Sequence, residues 1–364
     1  MDLVERPDSL QVKGQRLNFS VYSVDMPERV HPTCAASLVA IGDDSYRCSK
    51  SGSIHTISSL EKIASKGDVL FRTKGGKSIR TMLTSRSKQN TLLLTEQCDN
   101  LCNFCSQPPM DRPHLIEECM AALQLFDRPG QIGLTGGEPT LHWAELVALM
   151  EGELRPDRSF HLLSHGRHFS SGRKVSELQQ RGIIRGTLFG IPVHGSNSTS
   201  HDAVTGVKGS WDQTISGLLN LSFVGASIEI RVIVTRQVLP ELVGLVKLLK
   251  ATLGSKGYFL ALMRMERVGW AKSHADALKP DPLSEMRVLA EVAELAYLHH
   301  QDLRIYNYPL CLLPEELHAI AMPSISDWKN HFPAGCGDCS ERQNCSGFFI
   351  SDVGGDVKLM RPFR

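Results

Sequence analysis

A surplus of either charge is missing from this sequence: 40 Lys and Arg stand against 39 Asp and Glu, a formal net charge of +1. No global field therefore draws it to nucleic acid or to an anionic membrane, and a charged partner must be recognised locally. Long apolar runs are missing too, none approaching the ~20 residues that span a bilayer. The opening MDLVERPDSL, charged and broken by proline, does not resemble a signal peptide. A cytoplasmic location with no membrane or nucleic-acid partner is expected. With 364 residues and 41% hydrophobic content, the chain can bury a sizeable core with one or two appendages. Cysteine is not scarce: there are ten. In a reducing compartment they argue for metal ligation where they cluster and for plain buried thiols where they do not. Cys34, Cys48 and Cys119 belong to the second group and receive no function.

The densest cluster lies in TLLLTEQCDNLCNFCSQPP, Thr91 to Pro109, where an apolar strand-like run opens into a loop carrying Cys98, Cys102 and Cys105. Their spacing makes mutual disulfides awkward and leaves one thiol over, whereas three soft thiolates on one point suit an iron–sulfur cluster. A cluster with three protein ligands keeps one iron open, which marks reactive rather than structural sites. A zinc knuckle lacks its fourth local ligand. The pattern CxxxCxxC, with aromatic Phe104 before the last cysteine, resembles the signature of the radical S-adenosylmethionine (radical SAM) superfamily. That resemblance implies a 4Fe–4S cluster on Cys98, Cys102 and Cys105, with S-adenosyl-L-methionine as cofactor and Phe104 beside it.

Residues 1–90 hold short β-favouring pieces broken by Gly, Pro, Asp and Ser, and read as a small, mostly β appendage. From Arg72 to Lys88 that segment carries Arg72, Lys74, Lys77, Arg80, Arg86 and Lys88 around Gly75-Gly76, with no acidic residue. Such a run is usually a solvated face; the sharper reading is a strand edge that captures an acidic peptide by β-addition. After the cysteine loop, strand and helix patterns alternate through about six units, which predicts a parallel sheet with crossover helices. Six units are fewer than the eight of a closed barrel, and a partial (β/α)6 barrel over residues 91–305 is what the resemblance implies. Its open side would admit a large substrate.

Reactive groups in such sheets gather beyond the carboxyl ends of the strands. After the second strand comes Gly136-Gly137-Glu138-Pro139, which resembles the superfamily's GGEP turn, whose role is to hold the amino group of the methionine moiety. After the third, Ser164 is the polar candidate for ribose and carboxylate, and His165 stands where many relatives have asparagine. After the fourth and fifth, His194 and Arg231 are placed to face the cavity, Arg231 as a bidentate partner for a carboxylate. The stretch HGSNSTSHD, with His194, His201 and Asp202, reads as a capped loop rather than a metal site. An amphipathic helix from Pro280 to His300 should pack on the sheet.

The last segment, residues 306–364, brings Cys311 in YNYPLCLLP and then Cys336, Cys339 and Cys345 in CGDCSERQNC. Four cysteines in a short intracellular segment are a metal signal. Spacing by itself favours a closed zinc site, while the attached three-cysteine loop favours a second, auxiliary Fe–S cluster of SPASM/twitch type. Thr91 to Phe349 as a whole resembles the His-Xaa-Ser system radical SAM maturases, through LLLTEQCDNLCNFCSQPP, GGEPTLHW, PLCLLPEEL and SISDWKN. This implies radical modification of a ribosomally made precursor peptide, with an electron donor such as flavodoxin or ferredoxin and a partner maturase. A radical SAM enzyme of a nucleotide or other small molecule is the nearest alternative. A non-catalytic Fe–S or zinc protein is the rival of another class, and the GGEP turn speaks against it.

Overall fold

The structure, a computed structural model, describes residues 9–11, 13–14, 20–28, 35–72, 78–255, 257–323, 329–352 and 356–363. Its contacts divide the chain into two compact units, residues 1–95 with 113–160, and residues 96–112 with 161–364. The N-terminal β segment thus groups with residues 113–160. The fold is mixed α/β, built on parallel β/α units as expected.

In the first unit, strands Val21–Val24, Ala35–Gly42, Ser45–Cys48, Ile54–Thr56, Val69–Arg72 and Ser78–Leu83 form one sheet around Tyr22, Leu38, Leu70 and Ile79. The pairings are antiparallel except that of Val21–Val24 with Ala35–Gly42. Ser9–Gln11 pairs with Ser78–Leu83 at one edge of this sheet, and Lys13–Gly14 with Ile54–Thr56 at the other. These two short strands form the edges of the sheet. Lys74, Gly75, Gly76 and Lys77 of the basic run, and Cys34, lie outside the described residues. Arg86 is spent locally: its guanidinium donates to Glu61 O at 2.6 Å and Lys62 O at 2.8 Å, at the end of the one-turn helix Leu60–Ile63.

The same unit contains β1 (Thr91–Thr95), α1 (Ile116–Leu125), β2 (Gly130–Gly136) and α2 (Trp143–Glu153). β1 and β2 are parallel, with Leu92 opposite Leu134, and Leu92, Leu94, Ile132 and Leu134 are buried. β3 (Arg158–Leu163) alternates buried Phe160 and Leu162 with half-buried His161 and Leu163.

The second unit continues with α3 (Gly172–Gln180), β4 (Thr187–Pro192), α4 (Ser198–Thr205), α5 (Ser210–Phe223), β5 (Ser227–Val234), α6 (Leu242–Leu253), β6 (Tyr258–Arg264) and α7 (Pro282–Leu298). β7 (Asp302–Tyr306) and β8 (Ala321–Met322) follow. β4 through β8 pair in chain order, all parallel. Period-two alternation buries Ile228, Ile230, Val232 and Val234 on one face of β5 and sets Glu229, Arg231 and Ile233 on the other. On α6, Leu242, Leu245, Val246 and Leu249 recur at helical spacing and are buried. α7 begins where Asp281 accepts the Ser284 N–H at 2.9 Å, with Pro282 in the first turn. β7 and β8 were not expected, and they carry the parallel sheet beyond the anticipated boundary at residue 305. The β7 sequence DLRIY is too short for its periodicity to stand out. Among the described residues no helix is long and apolar enough to cross a membrane.

Candidate metal centre and cofactor site

The cysteine loop is held from two directions. On one side the Leu101 and Asn103 N–H groups donate to Thr205 O at 2.8 Å and Val204 O at 3.2 Å, satisfying carbonyls at the end of α4. On the other, the Trp270 N–H donates to Cys105 O at 2.9 Å, and His274 Nδ1 lies 2.9 Å from Asn103 O. Gly269 makes that approach possible, since a Cβ there would run into the carbonyls of Cys105 and Ser106.

Cys98, Cys102 and Cys105 are all partly exposed at residue level. Burial pushes the Cys102 thiol up to about 12, and the charges of Cys105 and Cys98 push the same way. Burial likewise raises Cys105, whose Sγ donates to Gln107 O at 3.0 Å. A thiol raised by the charges of its two neighbours shares a site with them, and a cation that replaces the protons turns this repulsion into attraction. Phe104 projects from the same loop, edge-on to His194 with ring centroids 4.9 Å apart, and packs against Met265, Ala271 and Leu278.

His194 is 2% exposed, and its Nδ1 has no hydrogen-bond partner among the described residues. Burial lowers its pKa to about 3, with His201 adding to the effect. A buried neutral imidazole whose ring nitrogen has no protein partner is uncommon in a folded chain. Its neighbours are structural. His201 Nδ1 accepts the His194 backbone N–H at 3.1 Å, and Asp202 accepts from Gly209 N at 2.6 Å and Trp211 N at 2.8 Å, at the start of α5. Asn197 caps α4 by accepting the Ser200 N–H at 3.1 Å. HGSNSTSHD is thus a capped turn and helix, as its composition suggested.

In the first unit, Gly136 and Gly137 dock on Thr95, three residues before Cys98. The Gly137 N–H donates to Thr95 O at 2.8 Å, and a Cβ on Gly136 would lie 2.5 Å from that oxygen. The β1–β2 register shifts between Thr135 and Gly136. Gly136 is therefore required by the close passage of two backbones. Glu138 is fully buried, and its Oε1 accepts from the Thr140 N–H at 2.9 Å and from the Thr140 hydroxyl, capping the short helix Pro139–His142.

Ser164 follows β3, but its Oγ accepts the Gly166 N–H at 3.1 Å and shapes the turn. His165 and Arg167, on either side of that glycine, both reach Asp99 in the cysteine loop, a set that sequence reasoning missed. Hydrogen bonds from His165 and His168 hold the Asp99 carboxyl far below the usual carboxylate range, although burial opposes them. Arg231 lies within β5, not after it, and its Nη1 donates to Glu229 Oε2 at 2.8 Å; His161 Nε2 is 2.7 Å from the same oxygen. Burial opposes ionisation of Glu229, yet Arg231 and His161 hold its pKa at about 2. Gly190 leaves room for this group, since a Cβ there would sit 2.9 Å from His161 Nε2.

The four C-terminal cysteines converge. Cys311, Cys336, Cys339 and Cys345 line one cavity, all free. Burial raises Cys311 and Cys336, and the charges of Cys345 and Cys339 raise each further. Cys345 Sγ accepts backbone N–H groups from Leu310 at 3.4 Å and Gly347 at 3.3 Å. Paired strands Asn330–His331 and Phe348–Phe349 hold the chain at this end.

Comparison with known proteins shows what this arrangement is similar to. Residues 92–240 match the Radical SAM superfamily. The matched segment spans β1, the cysteine loop and everything through β5. AdoMet-dependent heme synthase of Oleidesulfovibrio alaskensis is 25% identical over 176 residues, 47% of this chain and 44% of that protein. The chain thus spans under half the length of this curated relative. Among solved structures, Streptococcus suis SuiB bound to precursor peptide SuiA is 15% identical, covering 59% of this chain and 47% of that one, with a TM-score of 0.46. Native anSMEcpe with bound AdoMet is 13% identical, covering 59% and 63%, with a TM-score of 0.45. Similarity to the Radical SAM superfamily implies a 4Fe–4S cluster and S-adenosylmethionine. The donor set fits: three thiols in one loop, with Cys105 and Cys98 close enough to raise Cys102, suit the cluster, and the Nδ1 of His194, without a partner among the described residues and next to Phe104, suits a polar ligand.

Proposed function

We propose that the chain is a radical SAM enzyme that modifies a ribosomally made precursor peptide. The observation that carries the enzyme reading is the convergence of Cys98, Cys102 and Cys105 in one loop directly after β1, within the matched segment. Bound there, the cluster and cofactor would supply reductive cleavage of the sulfonium to methionine and a 5′-deoxyadenosyl radical. The chain's own part is positional. The three thiolates hold the cluster and leave one iron open; Phe104 and His194 flank the cofactor, with His194 Nδ1 making the polar contact that the fold leaves unmade. Gly136, Gly137, Glu138, Ser164 and Arg231 are the other cofactor residues in this reading, Glu138 and Ser164 through the turns they shape. Arg231 offers the cavity the guanidinium edge that Glu229 leaves free.

What supports the peptide substrate is the resemblance of strings such as PLCLLPEEL to the His-Xaa-Ser system maturases, and the gathered C-terminal cysteines would hold an auxiliary Fe–S cluster or zinc. A flavodoxin or ferredoxin would supply the electron, and a partner maturase would share the peptide. The test is anaerobic reconstitution with iron and sulfide, followed by reduction and assay for 5′-deoxyadenosine, with and without a His-Xaa-Ser repeat peptide. Slow cleavage without peptide and faster cleavage with it are expected. Undiminished cleavage by Cys102→Ala removes the enzyme reading, and a peptide that leaves with unchanged mass removes the substrate.

A further inference from the structure

We propose that Asp99, His165 and Arg167 form a clamp that sets the cysteine loop in ligand-ready shape, His165 and Arg167 acting as positioning residues through Asp99 on Cys98. The inference rests on the reading of Cys98, Cys102 and Cys105 as cluster ligands.

Asp99, His165 and His168 lie close enough to suggest a metal site of their own, with ligand atoms within 4.8 Å of one another. Proton accounting excludes it. The Arg167 backbone N–H donates to His165 Nδ1 at 3.1 Å, so the ring proton sits on Nε2, where it is given to Asp99 Oδ1 at 2.6 Å. A metal on Nε2 would need a lone pair that this tautomer lacks. The Arg167 guanidinium also occupies the other side of the carboxylate, with Nη1 3.1 Å from Asp99 Oδ2.

What remains is a grip on the loop. The same Nη1 reaches Asp99 O at 3.1 Å and Asn100 Oδ1 at 2.7 Å, while Nε donates to Gln213 Oε1 on α5 at 2.7 Å. Arg167 therefore ties the loop to a helix whose place is fixed by packing. The turn behind it is equally determined. Gly166 has φ 83°, and a Cβ there would meet Ile191 Cγ2 at 2.6 Å, so only glycine can stand between the two clamping side chains. The Thr214 hydroxyl donates to His165 O at 3.3 Å. Charge-assisted bonds of this kind are about twice as strong as neutral ones. With the contacts at Leu101, Asn103 and Cys105 already described, they leave the segment between Cys98 and Cys102 anchored at both ends.

The experiment compares wild type with His165→Leu, Arg167→Ala and His165→Asn, whose amide can still donate to Asp99. In the apoproteins, hydrogen exchange is read over residues 98–105 and over β5 and β6; in the reconstituted proteins, iron content and the midpoint potential of the cluster. His165→Leu and Arg167→Ala should speed loop exchange about tenfold without affecting β5 or β6, and should shift the potential. His165→Asn should restore both. Unchanged loop exchange and potential in both disruptive variants overturns the clamp, as does one zinc bound by the variant lacking Cys98, Cys102 and Cys105 and lost on His168→Ala. Wild-type protein that binds no iron, while the variants' loops still loosen, overturns the cluster reading and not the grip on the loop.

Discussion

The two cysteine groups differ in how they are made. Cys98, Cys102 and Cys105 are neighbours in sequence, and one loop delivers them from the end of β1, with the thiol of Cys102 deep enough that burial raises it to about 12. Cys311, by contrast, sits on a short turn well before Cys336, Cys339 and Cys345, and only the folding of residues 306–363 onto themselves brings the four together. The first set has three thiols, which would leave a bound metal an open position; the second has four, enough to close the coordination of a tetrahedral ion or of a cluster. Openness suits a site where a small molecule must reach the metal, and closure suits a group that conducts electrons or ties down the chain. In the proposed reading the donor counts put the chemistry at the loop and give the C-terminal set a supporting role.

The largest expected effect divides the two sets directly. Replacing Cys98, Cys102 and Cys105 together by Ala should abolish 5′-deoxyadenosine formation but leave the C-terminal metal in place. Elemental analysis and visible absorption of that variant should find about four irons if the second site is a cluster; one zinc and a colourless protein would assign it as zinc. A metal-free variant would break the comparison. Next, Cys339→Ala should lose peptide modification while retaining substrate-free cleavage, and wild-type turnover of peptide would show that the second site takes no part.

Smaller effects probe the scaffold of the loop. Gly136→Ala forces a methyl against Thr95 O, 2.5 Å away, and should destabilise the apoprotein by about 1–3 kcal/mol in urea unfolding. Acid should also weaken it. His194 and His201 titrate at about 3 and 4 in the folded state against an ordinary 6.5, so the unfolded chain binds more protons between those values. Stability should therefore be full above 6.5 and fall as pH drops, by about 2 kcal/mol per histidine near pH 5, and His201→Asn should flatten the profile. Glu138→Ala removes the bonds to Thr140, which should cost about 1 kcal/mol and weaken cofactor use with iron content unchanged. Loss of iron would mean that the turn serves the cluster itself.

How much of this was legible varies by the range of the interaction. Six strands and their helices were readable because burial on a sheet or helix face repeats with a short local period, as along β5. β7 was not, because five residues at the edge of a composition change carry too little pattern. The capped stretch from His194 to Asp202 was readable because caps act over two or three residues.

The sequence by itself determined the thiol spacing that makes a three-ligand loop, the glycine turn after β2 and the alternation of strand and helix. These rest on bond lengths, backbone freedom and local periodicity, which neighbouring residues set. Tertiary structure alone decided that His165 reaches Asp99 across 66 positions, that His194 keeps an unmade hydrogen bond in the interior, that Arg231 spends one nitrogen on Glu229, and that Ser9–Gln11 and Lys13–Gly14 cover the sheet edges. Such outcomes depend on which polar groups are buried together, and burial is a property of the packed chain as a whole.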